Sequence, residues 1–471
     1  MNINIVFFLL FLIQLLPIII VIIYENNNPK SMYFWSALTF IIPMGILIYV
    51  LFGNSLKFKT RKIIKSKYKT TKQYLNQTSW ITHYKNKTTN PVKNFKKRAL
   101  YCGHFDVWHY GNLKIFSFGN NFVNALLKDI KKAQKYIFLQ FYIFSDDNVG
   151  NKIKDALIKK AKSGVEIRVL YDDFGSFNTN NSFWQQLKEN NIKTTSFFPS
   201  HYKFFNSKVN YRNHRKLVII DGKVAYVGGL NIRDDHMGNG KISPWRDAMA
   251  RVGGGVVFAI LNIFLNDYLS QNNDYAIKNT SKFFSKITDV GTKTCQVITS
   301  GPDGDKKYIY KTYLKAITMA KRRIIIQTPY FVIDKKMIRR LRLAAKRGVR
   351  VDIIIPKLPD KNIIYSASLR CVSHLVGKNV NIYAYNGFIH SKVFVVDNNA
   401  SIGSCNFDNR SFKINFEDTL ILYSKSDLKK VQEIVKQDKA NSILLTKKSL
   451  QGLKKQYHIN WFVFVLLKNL I

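Results

Sequence analysis

The chain has 471 residues, enough for two domains or for one duplicated unit with a sizeable core. Lys and Arg outnumber Asp and Glu by 74 to 29, a formal net charge of +45; a coding bias toward Lys, Asn and Ile contributes, but the balance directs attention to polyanions: nucleic acid, an anionic membrane, or a phosphate-rich substrate. The four cysteines, Cys102, Cys295, Cys371 and Cys405, form no CxxC pair, which argues against a disulfide framework or a zinc site and for free thiols in a reducing compartment.

In chain order, residues 5–23 are apolar except for Gln14, and a second apolar run covers residues 33–53. Each is long enough to cross a hydrocarbon core of ~30 Å as a helix, and Pro17 and Pro43 are of a kind that transmembrane helices tolerate. A cleaved signal peptide fits poorly, because there is no basic start and no small-x-small cleavage site. The connection YENNNPKSM carries one Glu25 and one Lys30, whereas the second run is followed by KFKTRKIIKSKYKTTK, with no Asp or Glu between Glu25 and Asp106. The positive-inside rule therefore predicts a multi-pass cell-membrane protein with its body in the cytoplasm. A basic run beside the membrane also attracts anionic headgroups, at ~1 kcal/mol per charge. The expected organisation begins with two transmembrane helices in residues 1–54 and a basic juxtamembrane linker in residues 55–115.

The pattern then becomes α/β. NALLKDIKKAQK reads as an amphipathic helix, IFLQFYIF as a buried strand, IKDALIKKAKSG as a helix ending at Gly164, and VEIRVLYD as a strand. HRKLVIID follows at residues 214–221, then the turn GGLN to Asn231, then PWRDAMARV, where Asp247 opens a strand. A polar stretch, NNDYAIKNTSK, marks a join between residues 272 and 295, after which the pattern repeats. YLKAITMAKR, IIIQTPYF, MIRRLRLAAKRG (ending at Gly348) and VRVDIIIP repeat the helices and strands, and AKSGVEIRVL aligns with AKRGVRVDII without a gap. HSKVFVVD stands at residues 390–397, GSCN leads to Asn406, and NFEDTLILY opens a strand at Glu417. A repeat this long is a domain duplication. It predicts two similar α/β sandwich domains, residues 116–280 and 281–471, each with a largely parallel sheet. The apolar segment INWFVFVLLKNLI is too short to span a bilayer; packing on the body and lying at the membrane interface both remain open for it.

The chemistry lies in the paired H-x-K-x4-D motifs. Residues i and i+2 of a strand share a face, so His214 with Lys216, and His390 with Lys392, project together, and Asp221 and Asp397 close each strand. Phosphoryl transfer needs a nucleophile, a proton donor for the leaving oxygen and cations for the phosphate. One histidine can form a covalent phosphohistidine while the other moves protons, with the lysines, Asn231 and Asn406 holding the charge. Each histidine needs an acceptor on its second ring nitrogen, and Asp247 and Glu417 are the candidate orienting acids. Which histidine attacks is left open by the symmetry of the motifs. Of the other histidines only His236, in DDHMG, is placed near this cleft.

The segments NYRNHRKLVIIDGKVAYVGGLN, PWRDAMARV, SGPDGD, TPYF, YNGFIHSKVFVVD and NFDNRSF resemble the bacterial cardiolipin synthase branch of the phospholipase D superfamily, whose signature is this duplicated motif. The resemblance covers essentially the whole chain, including the two apolar runs. It implies two phospholipase D-like domains forming one active site, and transfer of a phosphatidyl group between two phosphatidylglycerol molecules to give cardiolipin and glycerol. No metal or cofactor is implied. The partners are phosphatidylglycerol, other anionic phospholipids and the membrane, with no nucleic acid expected. His214 is the implied nucleophile and His390 the acid/base. Rival functions are a phospholipase D-type hydrolase, a membrane-tethered nuclease and a lipid-binding scaffold. Two departures stand out: five residues, NNASI, separate Asp397 from Gly403 where the family usually has six, and Gly229 occupies a position where many superfamily members have Ser but cardiolipin synthases commonly have Gly.

Overall fold

The computed structural model describes residues 105–199, 210–272, 280–284, 291–304 and 306–457, helices α1 (Pro29–Ile41) and α2 (Asn54–Asn76), and residues 15, 17–22, 45 and 49. Of the two apolar runs predicted to span the membrane, most of the first and residues 42–44, 46–48 and 50–53 of the second fall outside the described residues, as does the whole segment 459–471. Among the described residues no helix is long and apolar enough to cross a membrane.

The first half of the body runs β1 (Val107–Phe116), α3 (Gly119–Lys132), β2 (Tyr136–Phe141), α4 (Asn148–Lys162), β3 (Glu166–Asp172), α5 (Asn181–Glu189) and β4 (Lys193–Phe197). It continues through β5 (Leu217–Ile220), β6 (Val224–Gly228), β7 (Trp245–Arg246), β8 (Met249–Gly253) and α6 (Val256–Gln271). The second half runs β9 (Lys293–Ser300), α7 (Tyr308–Met319), β10 (Arg323–Gln327), β11 (Phe331–Val332), α8 (Lys335–Lys346), β12 (Arg350–Pro356), α9 (Asn362–Ser373) and β13 (Val380–Tyr385). It ends with β14 (Phe388–Ile389), β15 (Val393–Val396), β16 (Asn399–Gly403), β17 (Phe407–Asp408), α10 (Asn409–Lys413), β18 (Glu417–Leu422), α11 (Lys425–Ala440), β19 (Ser442–Leu444) and α12 (Lys447–Gln456).

The two halves share one 15-stranded sheet, in the order β19-β13-β12-β10-β15-β16-β18-β9-β1-β8-β6-β5-β2-β3-β4. Read outward from the central β9–β1 pair, the order of one half repeats in the other. The expectation of largely parallel sheets is corrected: within the 15-stranded sheet only β2–β3–β4 and β10–β12–β13 are parallel, and the motif strands run antiparallel to their neighbours. The reason is local. A helical crossover feeds a parallel strand, but β5–β6 and β15–β16 are joined by turns too short for anything but an antiparallel hairpin.

The aligned helix ends agree with the sequence. Gly164 and Gly348 both adopt left-handed backbone, at φ 85° and 92°, which makes glycine the natural residue just past a helix. In the shortened second turn, Val396 pairs with Asn399 where Ile220 pairs with Val224, and both hairpins persist.

The segment expected to be a linker contains two structured elements. β1 is one strand of the pair that joins the two halves of the sheet, and α2 packs against α6 through buried Thr60, Ile64, Tyr68 and Thr71. Spacings of four, four and three make one helical stripe, leaving the lysines of α2 on its other faces.

Candidate active site

The motif residues sit where the halves cross-pair. Phe388 and Ile389 pair in parallel with Trp245 and Arg246, and Asn213 bridges Phe416. His214 N donates to Phe416 O at 2.9 Å, and His390 N donates to Arg246 O at 2.6 Å. Each histidine is thereby held one residue from the acid of the opposite half. The result is a crossed arrangement: His214 Nδ1 lies 3.1 Å from a Glu417 carboxylate oxygen, and His390 Nδ1 lies 2.5 Å from Asp247 Oδ2. Both acids predicted as orienting groups therefore stand beside a histidine, in each case that of the opposite half.

The two settings differ in detail. His214 Nδ1 is also 3.1 Å from the Ser404 carbonyl oxygen. With two acceptors facing it, Nδ1 carries the proton and Nε2 keeps its lone pair. Ser404 Oγ donates to Glu417 Oε2 at 2.5 Å and Asn415 Nδ2 to Oε1 at 3.1 Å, which fixes the carboxylate. On the other side Gly229 replaces that serine, and a Cβ there would stand 2.1 Å from Asp247 Oδ1. The glycine makes room for the acid, whose Oδ1 accepts from Ala248 N at 2.7 Å.

Lys216 Nζ donates to the His214 carbonyl at 2.6 Å. Lys392 Nζ stands 2.9 Å from His390 Nδ1 and donates to the His390 carbonyl. All four side chains are buried, and the electrostatics follow from that. Burial first, then the two lysines, lower the His214 imidazole to about 4 against the opposing pull of Glu417. Burial and both lysines hold His390 well below the ordinary histidine range. Burial brings Lys216 down to about 7 and Lys392 to about 8, although Glu417 and Asp247 work the other way. Burial pushes Glu417 up, but His214 and Lys216 outweigh it and leave the carboxyl below its usual value. For Asp247 burial prevails over Lys392 and raises it. Buried cationic groups that lose charge this readily form a site that an anion would stabilise.

His214, His390, Asn231, Asn406 and His236 line one cavity of about 460 Å³, with Tyr142, Arg212 and Trp245 among its walls. Asn231 Oδ1 accepts from Ile143 N at 3.2 Å, whereas Asn406 Oδ1 is buried with no hydrogen-bond partner among the described residues. His236 packs edge-on to His390, ring centres 4.9 Å apart. His236, Asp247 and His390 form a group among the described residues whose possible ligand atoms lie within 4.8 Å of one another; Asp247 and His390 are already in contact with each other. A larger groove of about 1010 Å³, between α8, α9 and α12, contains none of the motif residues.

Asp221 and Asp397, counted from the sequence as catalytic, do not join this cavity. The four residues of β5 carry the chain about 13 Å away from Lys216 before Asp221. Asp221 instead accepts from the backbone N–H groups of Gln134, Lys135 and Tyr136. Asp397 takes the same three bonds from Lys321, Arg322 and Arg323. Both have left-handed backbone, φ 53° and 50°. They tie a hairpin turn to the start of the neighbouring strand, a structural task repeated in each half.

Sequence reasoning missed Ser404 as a clamp on Glu417 and missed the support beneath each motif. Arg215, between His214 and Lys216, points to the opposite face and forms a buried pair with Asp267 at 2.6 and 2.7 Å. Tyr68, Gln140 and Asn213 donate to the same carboxylate. Asp267 carried a signal, a lone acid within the apolar helix sequence VVFAILNIFLNDYLSQ. In the second half Ser391 takes the place of Arg215 and reaches Gln327, while Asp438 binds Gln327 and Arg246.

Residues 126–239 and 313–439 match the family model described as cardiolipin synthase, PLD-like domain. The major cardiolipin synthase ClsA of Bacillus subtilis is 37% identical over 440 residues, covering 91% of each chain. A cardiolipin synthase of Oceanobacillus iheyensis is 36% identical over 459 residues, 93% of each. Among solved structures, phosphatidylserine synthase of Haemophilus influenzae superposes with a TM-score of 0.61 at 15% identity, over 81% of this chain and 100% of that one, a likeness of fold. The duplicated sheet, the crossed histidine–acid pairs and the two matched segments agree: the chain belongs to the cardiolipin synthase family of phospholipase D-like proteins.

Proposed function

We propose that this protein is a phosphatidyltransferase that joins two phosphatidylglycerol molecules into cardiolipin and releases glycerol, through a phosphohistidine. The observation that carries the reading is the convergence on one cavity of two buried histidines, each held at Nδ1 by an acid from the opposite half. A proton on Nδ1 leaves Nε2 of each ring for chemistry. His214 is the nucleophile in this reading, supported by a Glu417 that stays ionised and is clamped by Ser404 and Asn415.

In the first step His214 Nε2 attacks phosphorus, the bond from phosphorus to the glycerol headgroup oxygen breaks, and His390 gives that oxygen a proton. The phosphodiester's own negative charge offsets the lysines that depress His390 and lets it arrive protonated. In the second step a headgroup hydroxyl of another phosphatidylglycerol loses its proton to His390 and bonds to phosphorus. The phosphorus–nitrogen bond breaks and His214 is regenerated. Lys216, Lys392, Asn231 and Asn406 hold the phosphate oxygens, where fixed donors in a dry site act most strongly.

The same reading anchors the chain in the cell membrane by residues 5–23 and 33–53, with the body in the cytoplasm. The lysine-rich stretch after residue 53 and the absence of acids up to Asp106 support that orientation. The test is incubation of the purified chain with vesicles containing labelled phosphatidylglycerol. Cardiolipin and glycerol in equal amounts are expected. Phosphatidic acid with no cardiolipin would mean that water resolves the intermediate, and would replace the transferase reading by a hydrolase.

A further inference from the structure

Large apolar side chains exposed on the body are unevenly placed. Among the described residues from 105 to 457 they are Phe118, Phe174, Phe177, Met319, Leu358, Ile363, Ile443 and Leu444. Half of them fall on two segments: Phe174 and Phe177, 57% and 53% exposed, follow β3, and Leu358 and Ile363, 44% and 46% exposed, follow β12. β3 and β12 are equivalent strands of the duplicated fold, each parallel to its half's β2 or β10, so the two segments leave the sheet at equivalent places.

Both segments reach the active-site cavity, since Phe174 lines it from one half and Lys361 with Ile364 from the other. Exposed Lys357 and Lys361 flank Leu358 and Ile363, and the Arg212 guanidinium lies over the Phe174 ring at 5.8 Å. The one carboxylate in the second segment, Asp360, accepts a hydrogen bond from Tyr330 at 2.5 Å.

We propose that these two segments form a rim that enters the headgroup layer of an anionic bilayer, so that the cavity opens directly onto the lipid surface. This rests on the reading of the cavity as a phosphatidyl-transfer site. A diacyl lipid brought to buried histidines through water would expose its chains, whereas a rim seated in the interface keeps them in the bilayer while the phosphate enters. Apolar tips with flanking cations are what such an interface accepts: rings and aliphatic groups below the phosphates, ammonium groups among them. The pseudo-symmetric placement suits a reaction in which two lipids enter one site.

Two measurements on the full chain test the rim. In the first, the triple variant Phe177→Ser, Leu358→Ser, Ile363→Ser is compared with the parent on phosphatidylglycerol vesicles and on monomeric short-chain phosphatidylglycerol. Turnover on vesicles is expected to fall at least about tenfold with short-chain turnover within about twofold. Equal activity on vesicles, or an equal fall on both substrates, overturns the proposal. In the second, the Cys102→Ser, Leu358→Cys chain carries a fluorophore at residue 358, the remaining cysteines being buried. Brominated acyl chains in the vesicles are expected to quench it, and to leave a Met319→Cys label, at the far end of α7, unquenched. Equal quenching at both positions, or none at residue 358, overturns the rim. Quenching at residue 358 in a parent that makes no cardiolipin leaves the rim standing and removes the transferase reading instead.

Discussion

The two halves of the body are built on one plan and furnished differently. Both place a histidine and a lysine at the start of a hairpin strand, and both tie the far turn with an aspartate taking three backbone bonds. Around the histidines the match ends. His214 faces a glutamate that is ionised, clamped by a serine and an asparagine. His390 faces an aspartate one methylene shorter, with a glycine in the serine's place, a lysine at 2.9 Å and His236 edge-on beside it. Duplication supplies two equal histidines, and their neighbours have diverged. In the proposed mechanism that difference gives them unequal tasks: one ring is fixed for attack, and the other sits among charges that shift when an anion arrives.

The largest expected effect tests that inequality. His214→Asn and His390→Asn each lower turnover by at least about 10⁴-fold. With a phosphatidyl ester of a good leaving group, only His214→Asn also abolishes covalent labelling in a single turnover. Equal labelling of both variants would erase the distinction drawn between the halves. Next come the acids: Glu417→Gln costs roughly 10³- to 10⁴-fold, by analogy with removing the acid that sets a catalytic histidine's tautomer. It should impair labelling as the His214 variant does, because its partner is in the opposite half. A Glu417→Gln chain that labels normally but cannot release product would uncouple the crossed pair.

The third effect is a pH dependence shared by both halves. A lysine is charged below its pKa, and burial sets Lys216 at about 7 and Lys392 at about 8. On the alkaline side kcat/KM is therefore expected to fall, by about tenfold per pH unit once the pair has lost its charge. A profile flat to pH 9.5 would remove the lysines from phosphate binding. Ser404→Gly, which makes the His214 side resemble the His390 side, is expected to lower kcat about tenfold, the worth of one hydrogen bond to a charged group. An unchanged kcat would mean that Glu417 needs no clamp. The smallest effect on chemistry belongs to Asp221→Ala: roughly 2–3 kcal/mol of stability lost in thermal unfolding, with kcat per folded molecule within about twofold. Asp397→Ala is expected to cost less, because two of its three bonds are solvent-exposed. A large fall in kcat for either would return these aspartates to the catalytic set.

Much of this was legible in the chain. The aligned AKSGVEIRVL and AKRGVRVDII, with their glycines, marked equivalent helix ends, and the H-x-K spacing placed His214 with Lys216 and His390 with Lys392 correctly. Asp247 and Glu417 were legible as acids at strand starts, but not as acids for the opposite histidine, since strand crossing between halves leaves no trace in local periodicity. The motif aspartates misled because position in a pattern says nothing of which end of a strand meets the cavity; four residues of β5 and β15 separate them from the lysines. The charge of the lysine run hides the buried stripe Ile64, Tyr68 and Thr71, so its sequence resembles a linker. The mixed sheet escaped because motif strands buried on both faces look alike whether parallel or antiparallel.

The crossed pairing also changes how lesions in this chain should be grouped. Position along the sequence is a poor guide to which residues act as a unit. His214→Asn and Glu417→Gln, 203 residues apart, damage one device, so combining them should cost little more than the worse of the two. His214→Asn and Asp247→Asn, both in the first half, damage different devices and should compound. A map of epistasis would therefore run across the duplication. Recombination that exchanges one half with a relative would split both pairs at once, so the halves are free to diverge from each other but must be inherited together.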